Sequence, residues 1–381
     1  MSHKHFGTVL FLLSLLGGWS IHGFSARNGF YQVITNLKDN TTLHDGTTYA
    51  KYFTRLSPVD DLLSTLLTFF WPVLDGATPE LSLTSFLFAG QFTAAWTVTM
   101  IEGMRAANAW KLASYTTIAG LLVQTMGAAL IIPAWTALHL LTSPTLVDTT
   151  PATLSVSEPA LRALPYSITL GYIAPSLAMA LPIGTISQQT KIYAVLIWQA
   201  FPLWTQLFQT VLQNMIFAQW TAHSSSPGKA RHMTQLRLLR RCYTFALYLS
   251  AASQIATLTL SFAAYLAPHI FQSNFAKRSQ PVYAFVPPSP FGGHKVSGVP
   301  EGAFRFIQFD FLTTSMAYFV WGLMVKYTLN EERDIGELVS DIVLRPVGLG
   351  FMAAGLTSVW DRDEVVFGTE ENPAVERKKS Q

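Results

Sequence analysis

The feature that most constrains this chain is a succession of apolar stretches, each near the roughly 20 residues needed to cross a hydrocarbon core about 30 Å thick. They run Phe6 to Phe24, Pro58 to Leu74, Ser82 to Met104, Leu112 to Leu141, Ala163 to Leu181, Ile192 to Ala218, Cys242 to Phe271, Phe304 to Tyr327 and Ile342 to Val359. Lipid leaves the backbone no hydrogen-bonding solvent, so segments of this kind must be helical. The expected fold is all-α, a polytopic transmembrane helical bundle of about eight spans. A ninth stretch, Ile342 to Val359, starts beside Arg345 and Pro346 and is expected to be re-entrant or interfacial. Half of the 381 residues are hydrophobic and 12% are charged, against about a quarter charged in soluble proteins.

The same composition removes several function classes. A formal charge of +3 is small for this length and sits mostly in one loop and the last few residues, so no broad basic surface exists for nucleic acid. A single cysteine, Cys242, excludes a disulfide framework within the chain and every multi-cysteine metal site. The sequence also lacks a Walker loop, a Gly-x-Ser-x-Gly elbow, a His-Glu-x-x-His pair and a dinucleotide-binding glycine fingerprint. No cofactor and no metal are expected.

Three signals bear on topology. Lys229, Arg231, Arg237, Arg240 and Arg241 fall in a short loop, about 221–241, which the positive-inside rule puts in the cytosol. Asn40-Thr41-Thr42 is a glycosylation sequon, usable only on the lumenal side. Lys378 and Lys379 stand fourth and third from the end, a spacing that resembles an endoplasmic reticulum retrieval signal read in the cytosol. Together they imply eight crossings in the endoplasmic reticulum with both termini cytosolic and an uncleaved first segment. Residues 1–360 then form one integral membrane domain with lumenal loops at about 25–57 and 272–303, and 361–381 form a charged cytoplasmic tail.

Ionisable residues at membrane depth are costly and mark function by default. Asp60 and Asp61 enter the second stretch together, about 100° apart on a helix, so one is free to face a cavity while the other caps the helix begun at Ser57-Pro58. Glu102, Arg105 and Asn108 stand at i, i+3 and i+6, which puts Glu102 and Arg105 on one face as an ion pair or buried polar cluster. Asp310, in Arg305-Phe-Ile-Gln-Phe-Asp310-Phe, lies about one turn into its span, flanked by aromatics and with no helix end of its own to cap. A carboxyl there can stay protonated near neutrality, as a general acid must. His139 has no second histidine at ligand spacing and reads as a hydrogen-bonding residue. Trp71, Trp96, Trp135, Trp198, Trp204 and Trp321 are expected mostly in interfacial belts, with cavity lining as the alternative.

Val59-Asp60-Asp61-Leu62-Leu63 before Phe69-Phe70-Trp71-Pro72, then Glu102-Gly103-Met104-Arg105-Ala106-Ala107-Asn108, then Phe306-Ile307-Gln308-Phe309-Asp310 resemble the fungal membrane-bound terpene cyclases of ascochlorin and ascofuranone biosynthesis. That resemblance implies cyclisation of an epoxidised farnesyl chain on an aromatic polyketide, begun by protonating the epoxide. Related members open epoxides on polyene polyketides with water or an internal hydroxyl. Expected partners are the bilayer, a hydrophobic prenylated or polyene substrate and other enzymes of the pathway. The expected acid is Asp310, with Asp60 or Asp61 second and Glu102 as a positioning group or final proton acceptor. Arg105, Asn108 and His139 would position substrate. The buried acids and Pro-broken spans also suit a proton-coupled transporter, and the lumenal loop suits a non-catalytic scaffold.

Overall fold

The computed structural model describes residues 3–221, 228–329 and 335–368. Among these residues the regular elements are helical, and the sole extended pairings are the isolated bridges Thr42–Thr48 and Ile183–Ile186. The all-α expectation holds. Helix α1, His3–Gly18, continues through a π turn, Trp19–Gly23, to Arg27, and is followed by α2, Phe30–Asp39. Next come α3, Ser57–Leu74, α4, Pro79–Met104, α5, Thr116–Met126, and α6, Ala128–Thr142. Then α7, Glu158–Ile168, leads through a π turn into Ala174–Ala180, and α8, Gln188–Trp198, precedes α9, Phe201–Val211. The chain ends with α10, Gly228–Leu266, α11, Val299–Tyr327, and α12, Phe351–Gly368.

Two helices, His5–Arg27 and His232–Leu266, are long and apolar enough to cross a bilayer. At 1.5 Å per residue α4 and α11 also reach about 39 and 44 Å, but both carry polar and charged residues along their length. Glu102, Arg105, Asp341, Arg362 and Asp363 are buried beside a large apolar core, and many apolar side chains, Phe86, Leu177, Leu207, Phe262 and Leu266 among them, are exposed.

Close helix contacts are made where side chains are absent. A Cβ on Gly17 of α1 would lie 2.2 Å from the Ala129 carbonyl oxygen of α6, and one on Gly322 of α11 would lie 2.5 Å from the Gly355 oxygen of α12. Small residues at such crossings let backbones approach and gain dispersion contact. α1 therefore packs along α6 and α11 along α12; α11 also meets α6, and α4 lies against α10.

Several boundaries differ from the sequence expectation, each for a local reason. The stretch Leu112 to Leu141, read as one with Pro133 as its interruption, breaks instead at Gly127, because Gly127 adopts φ +81°, ψ 148°, a conformation open to glycine. Pro133 stays inside α6. Ile342 to Val359 is likewise divided, at Gly350, with φ +93°. The basic residues from Lys229 to Arg241 begin α10 instead of forming a loop. The chain after Trp360 is not a solvated tail at its start: α12 runs to Gly368 and buries Arg362 and Asp363. Lys378 and Lys379 lie outside the described residues. The Pro- and Gly-rich segment before α11 holds two short helices, Ser273–Arg278 and Pro281–Phe285. It is tied down by Gln308, whose amide donates to the Tyr283 and Ala284 carbonyls, both at 2.9 Å.

Candidate functional site

Glu102 is the last acid of α4 and is wholly buried. Its Oε1 accepts from Arg105 Nε at 3.1 Å and from Arg362 at 2.7 Å. Arg105 stands where α4 ends, so its guanidinium also reaches the Leu154 carbonyl at 2.7 Å and Asp363 Oδ2 at 2.6 Å. Asp363 accepts as well from the Tyr243 hydroxyl at 2.7 Å and from Arg362 at 2.8 and 3.0 Å. Two carboxylates thus face two guanidiniums, a charge-balanced network in which nearly every donor and acceptor is used. That is the condition under which buried ions are tolerated.

His139 joins the network from α6. Trp321 Nε1, which can only donate, bonds His139 Nδ1 at 3.1 Å. The Nε2 atom therefore carries the imidazole proton and points it at Glu102 Oε2, 3.2 Å away. Asn108 donates to the Glu102 carbonyl at 2.8 Å and accepts from Ser143 Oγ at 2.6 Å. Glu102, Arg105, Asn108 and His139, four of the residues singled out in the sequence, converge here. Arg362, Asp363 and Tyr243 were missed, and Trp321 was expected mostly in an interfacial belt. The signal for the first two was a charge pair directly after an apolar stretch, which reads equally well as the beginning of a solvated end.

Asp310 lies elsewhere. On the α6 and α11 axes it is ten or eleven residues from the His139–Trp321 contact, about 15 Å, so it and Glu102 do not meet on one atom. Contrary to the expectation that it caps nothing, Asp310 caps a different helix: Oδ1 accepts from Ala129 N–H, 2.5 Å, in the first turn of α6 directly after the Gly127 break. The Ala128 amide also faces this carboxyl, and no cationic side chain among the described residues pairs with it. Ile21 and Phe306 share its surroundings at Gly127 and belong to a small apolar cluster with Phe24, Ala129 and Phe309. From Phe306 a run of rings leads away through Phe69, Phe70 and Trp198, with centroids 5.0, 4.9 and 5.1 Å apart. His22 packs edge-on to Phe306 and bonds the last carbonyl of α5, Met126, at 2.8 Å. The broken helix is thus satisfied on both sides of Gly127.

The other acids do different work. Asp60 is buried, yet its Oδ1 bonds the Phe53 and Thr54 amides at 3.0 and 2.7 Å. It folds the preceding loop onto α3 instead of capping the helix's own amides. Asp61, on the adjacent face, is 63% exposed and pairs with Lys38 at 2.7 Å. Asn40 is exposed at the end of α2. Trp71, Trp96 and Trp321 are fully buried, so those three are core residues and not members of a belt. Among the described residues no three His, Cys, Asp or Glu side chains gather as a metal site.

Fold and site together define an all-helical protein with apolar faces outward, a sealed ionic network within, and one isolated carboxyl among aromatic rings. Residues 5–367 match the CtvD-domain family, and the chain belongs to it. The terpene cyclase ascI of Acremonium egyptiacum is 33% identical over 362 residues, 92% of this chain and 90% of that protein. The terpene cyclase ctvD of Aspergillus terreus is 26% identical over 85% of this chain and 88% of its own. For the terpene cyclase janA of Penicillium janthinellum the identity is 28%, over 88% and 87%. The resemblance read in the sequence is borne out. No solved structure matches the chain.

Proposed function

We propose that this protein is a membrane-embedded terpene cyclase that opens an epoxide on the prenyl chain of an aromatic meroterpenoid precursor, with Asp310 as the proton donor. The observation that carries the assignment is the contrast between carboxyls. Glu102 and Asp363 are held by arginines and are suited to remain anions, whereas Asp310 sits in an apolar, aromatic-rich cluster with backbone amides as its partners and no cation among the described residues. A general acid must hold a proton to give one, and an apolar enclosure favours the neutral acid. Donation from the Asp310 carboxyl to the epoxide oxygen as the C–O bond breaks leaves a cation on the chain. The faces of Phe306, Phe69 and Phe70 would stabilise it.

The names of the relatives support the reaction class, and the outward apolar faces support the bilayer. In this reading eight segments cross the endoplasmic reticulum membrane, Asn40 faces the lumen and both termini the cytosol. The Glu102–Arg105–Asn108–His139 cluster positions the polar end of the substrate. Microsomes carrying the protein, incubated with an epoxidised farnesyl-phenol and analysed by mass spectrometry, should yield a new product of unchanged mass. Asp310→Asn should abolish it. A product heavier by one water would favour an epoxide hydrolase, and turnover unchanged in Asp310→Asn would end the acid assignment.

A further inference from the structure

Five aromatic rings from four separate elements close a circuit beside Asp310. His22 lies in the π turn of α1, Phe30 and Tyr31 open α2, Phe69 is on α3 and Phe306 on α11. Ring centroids are 5.9 Å apart from His22 to Phe306, 5.0 Å from Phe306 to Phe69 and 6.0 Å from Phe69 to Phe30. From Phe30 to Tyr31, and from Tyr31 back to His22, they are 6.2 Å apart. Phe30 lies on Gly302 of α11, where a Cβ would come within 2.0 Å of the ring. A Cβ on Gly127 would lie 3.5 Å from both Phe306 Cζ and Asp310 Oδ1, so the acid borders the circuit at Phe306. Three of the five rings carry no polar atom. The other two are bonded to each other, His22 Nδ1 to the Tyr31 hydroxyl.

A third group fixes the direction of that bond. His22 Nε2 lies 2.8 Å from the Met126 carbonyl oxygen, which can only accept, so Nε2 carries the imidazole proton. Nδ1 is left with its lone pair and accepts from Tyr31, and the Tyr31 oxygen keeps its own lone pairs for a further donor. The pair is arranged to take up a proton. Met126 is the last residue of α5, and the negative end of a helix dipole favours a cation there. An imidazolium formed at His22 is therefore stabilised where it stands.

Cyclisation needs a group of this kind. Asp310 gives a proton to the epoxide oxygen, and the last cation is quenched when a neighbouring C–H bond breaks, its electron pair forming an alkene and its proton leaving. Glu102 is already committed to Arg105, Arg362 and His139. Resting on the cyclase reading above, we propose that Tyr31, backed by His22, is the base that ends the reaction. The Tyr31 oxygen takes the proton from carbon while its own proton passes to His22 Nδ1, leaving a neutral tyrosine and an imidazolium. Tyr31 is 37% exposed, so the proton departs to solvent at that end. Asp310 regains one once the product has left, and none is gained or lost over the cycle. Tyr31 touches substrate, whereas His22 acts through Tyr31 as a positioning residue.

The identity of the products reports this step. Microsomes carrying the unmodified protein, Tyr31→Phe or His22→Gln are incubated with the epoxidised farnesyl-phenol, and the extracts are resolved by chromatography and mass spectrometry. Tyr31→Phe keeps the ring and removes the oxygen. His22→Gln can still donate to Met126 and accept from Tyr31, but it cannot take up a proton. With the base lost the cation is quenched elsewhere, and the unmodified enzyme's alkene should fall about tenfold or more relative to isomeric alkenes and water adducts. The double variant should give the same mixture as either single one, because the two residues act as a unit. An unchanged product ratio in both single variants, at whatever rate, overturns the proposal. Complete loss of epoxide consumption in both overturns it too, because the base acts only after the epoxide has opened. An epoxide left intact by the unmodified protein is a different failure, that of the cyclase reading itself.

Discussion

Replacing Arg362 by methionine tests whether the ionic network is held by charge balance. The guanidinium is fully buried, bonds Glu102 at 2.7 Å and Asp363 at 2.8 and 3.0 Å, and its removal leaves two buried carboxylates facing only Arg105. Breaking one partner of such a network strands an uncompensated charge, which costs about 3–5 kcal/mol. Glu102→Gln alone strands a positive charge and should cost a similar amount. The double variant leaves Arg105 against Asp363, balanced again and already bonded at 2.6 Å. Its destabilisation should therefore be less than the sum of the single ones by about 1.5 kcal/mol or more. Cys242, the only cysteine, is completely buried, so the rate of labelling by a thiol-reactive dye in detergent reports opening of this part of the bundle. Strictly additive losses across the cycle would refute charge balance as what holds the network.

Asp310→Asn should lower cyclisation about a hundredfold or more with little change in expression, because the amide oxygen can still accept from Ala129 N–H. Measuring both in the same microsomes separates chemistry from folding. Gly127→Ala should destabilise by about 1–3 kcal/mol, since φ is +81° and the new Cβ would come within 2.5 Å of Ile21 Cδ1. A thermal unfolding midpoint equal to that of the unmodified protein would contradict it. Asp61→Asn removes an exposed pair with Lys38 and should change stability by less than about 0.5 kcal/mol. Activity should also be unaffected, and a clear loss would return Asp61 to the list of catalytic acids.

The sequence by itself determined the helical class, because apolar stretches of this length and number suit helices, which satisfy their backbone hydrogen bonds within one segment. It also made Glu102 and Arg105 a pair, since spacing of three on a helix is local geometry. Asp310 stood out for the same reason, as an acid among aromatics within one span. What the acids meet was not legible. Arg362 and Asp363 are 260 residues or more from Glu102 in the chain, and their charge suggested water until the packing of α12 against α11 enclosed them. Asp310 was read as capping nothing because its cap lies 181 residues away, on a helix whose start depends on a glycine turn instead of the nearby proline. Periodicity reports which face of a helix is polar. Only the crossing of α4, α6, α11 and α12 decides which polar faces are brought together, and so which carboxyls are paired with arginine and which one meets backbone amides instead.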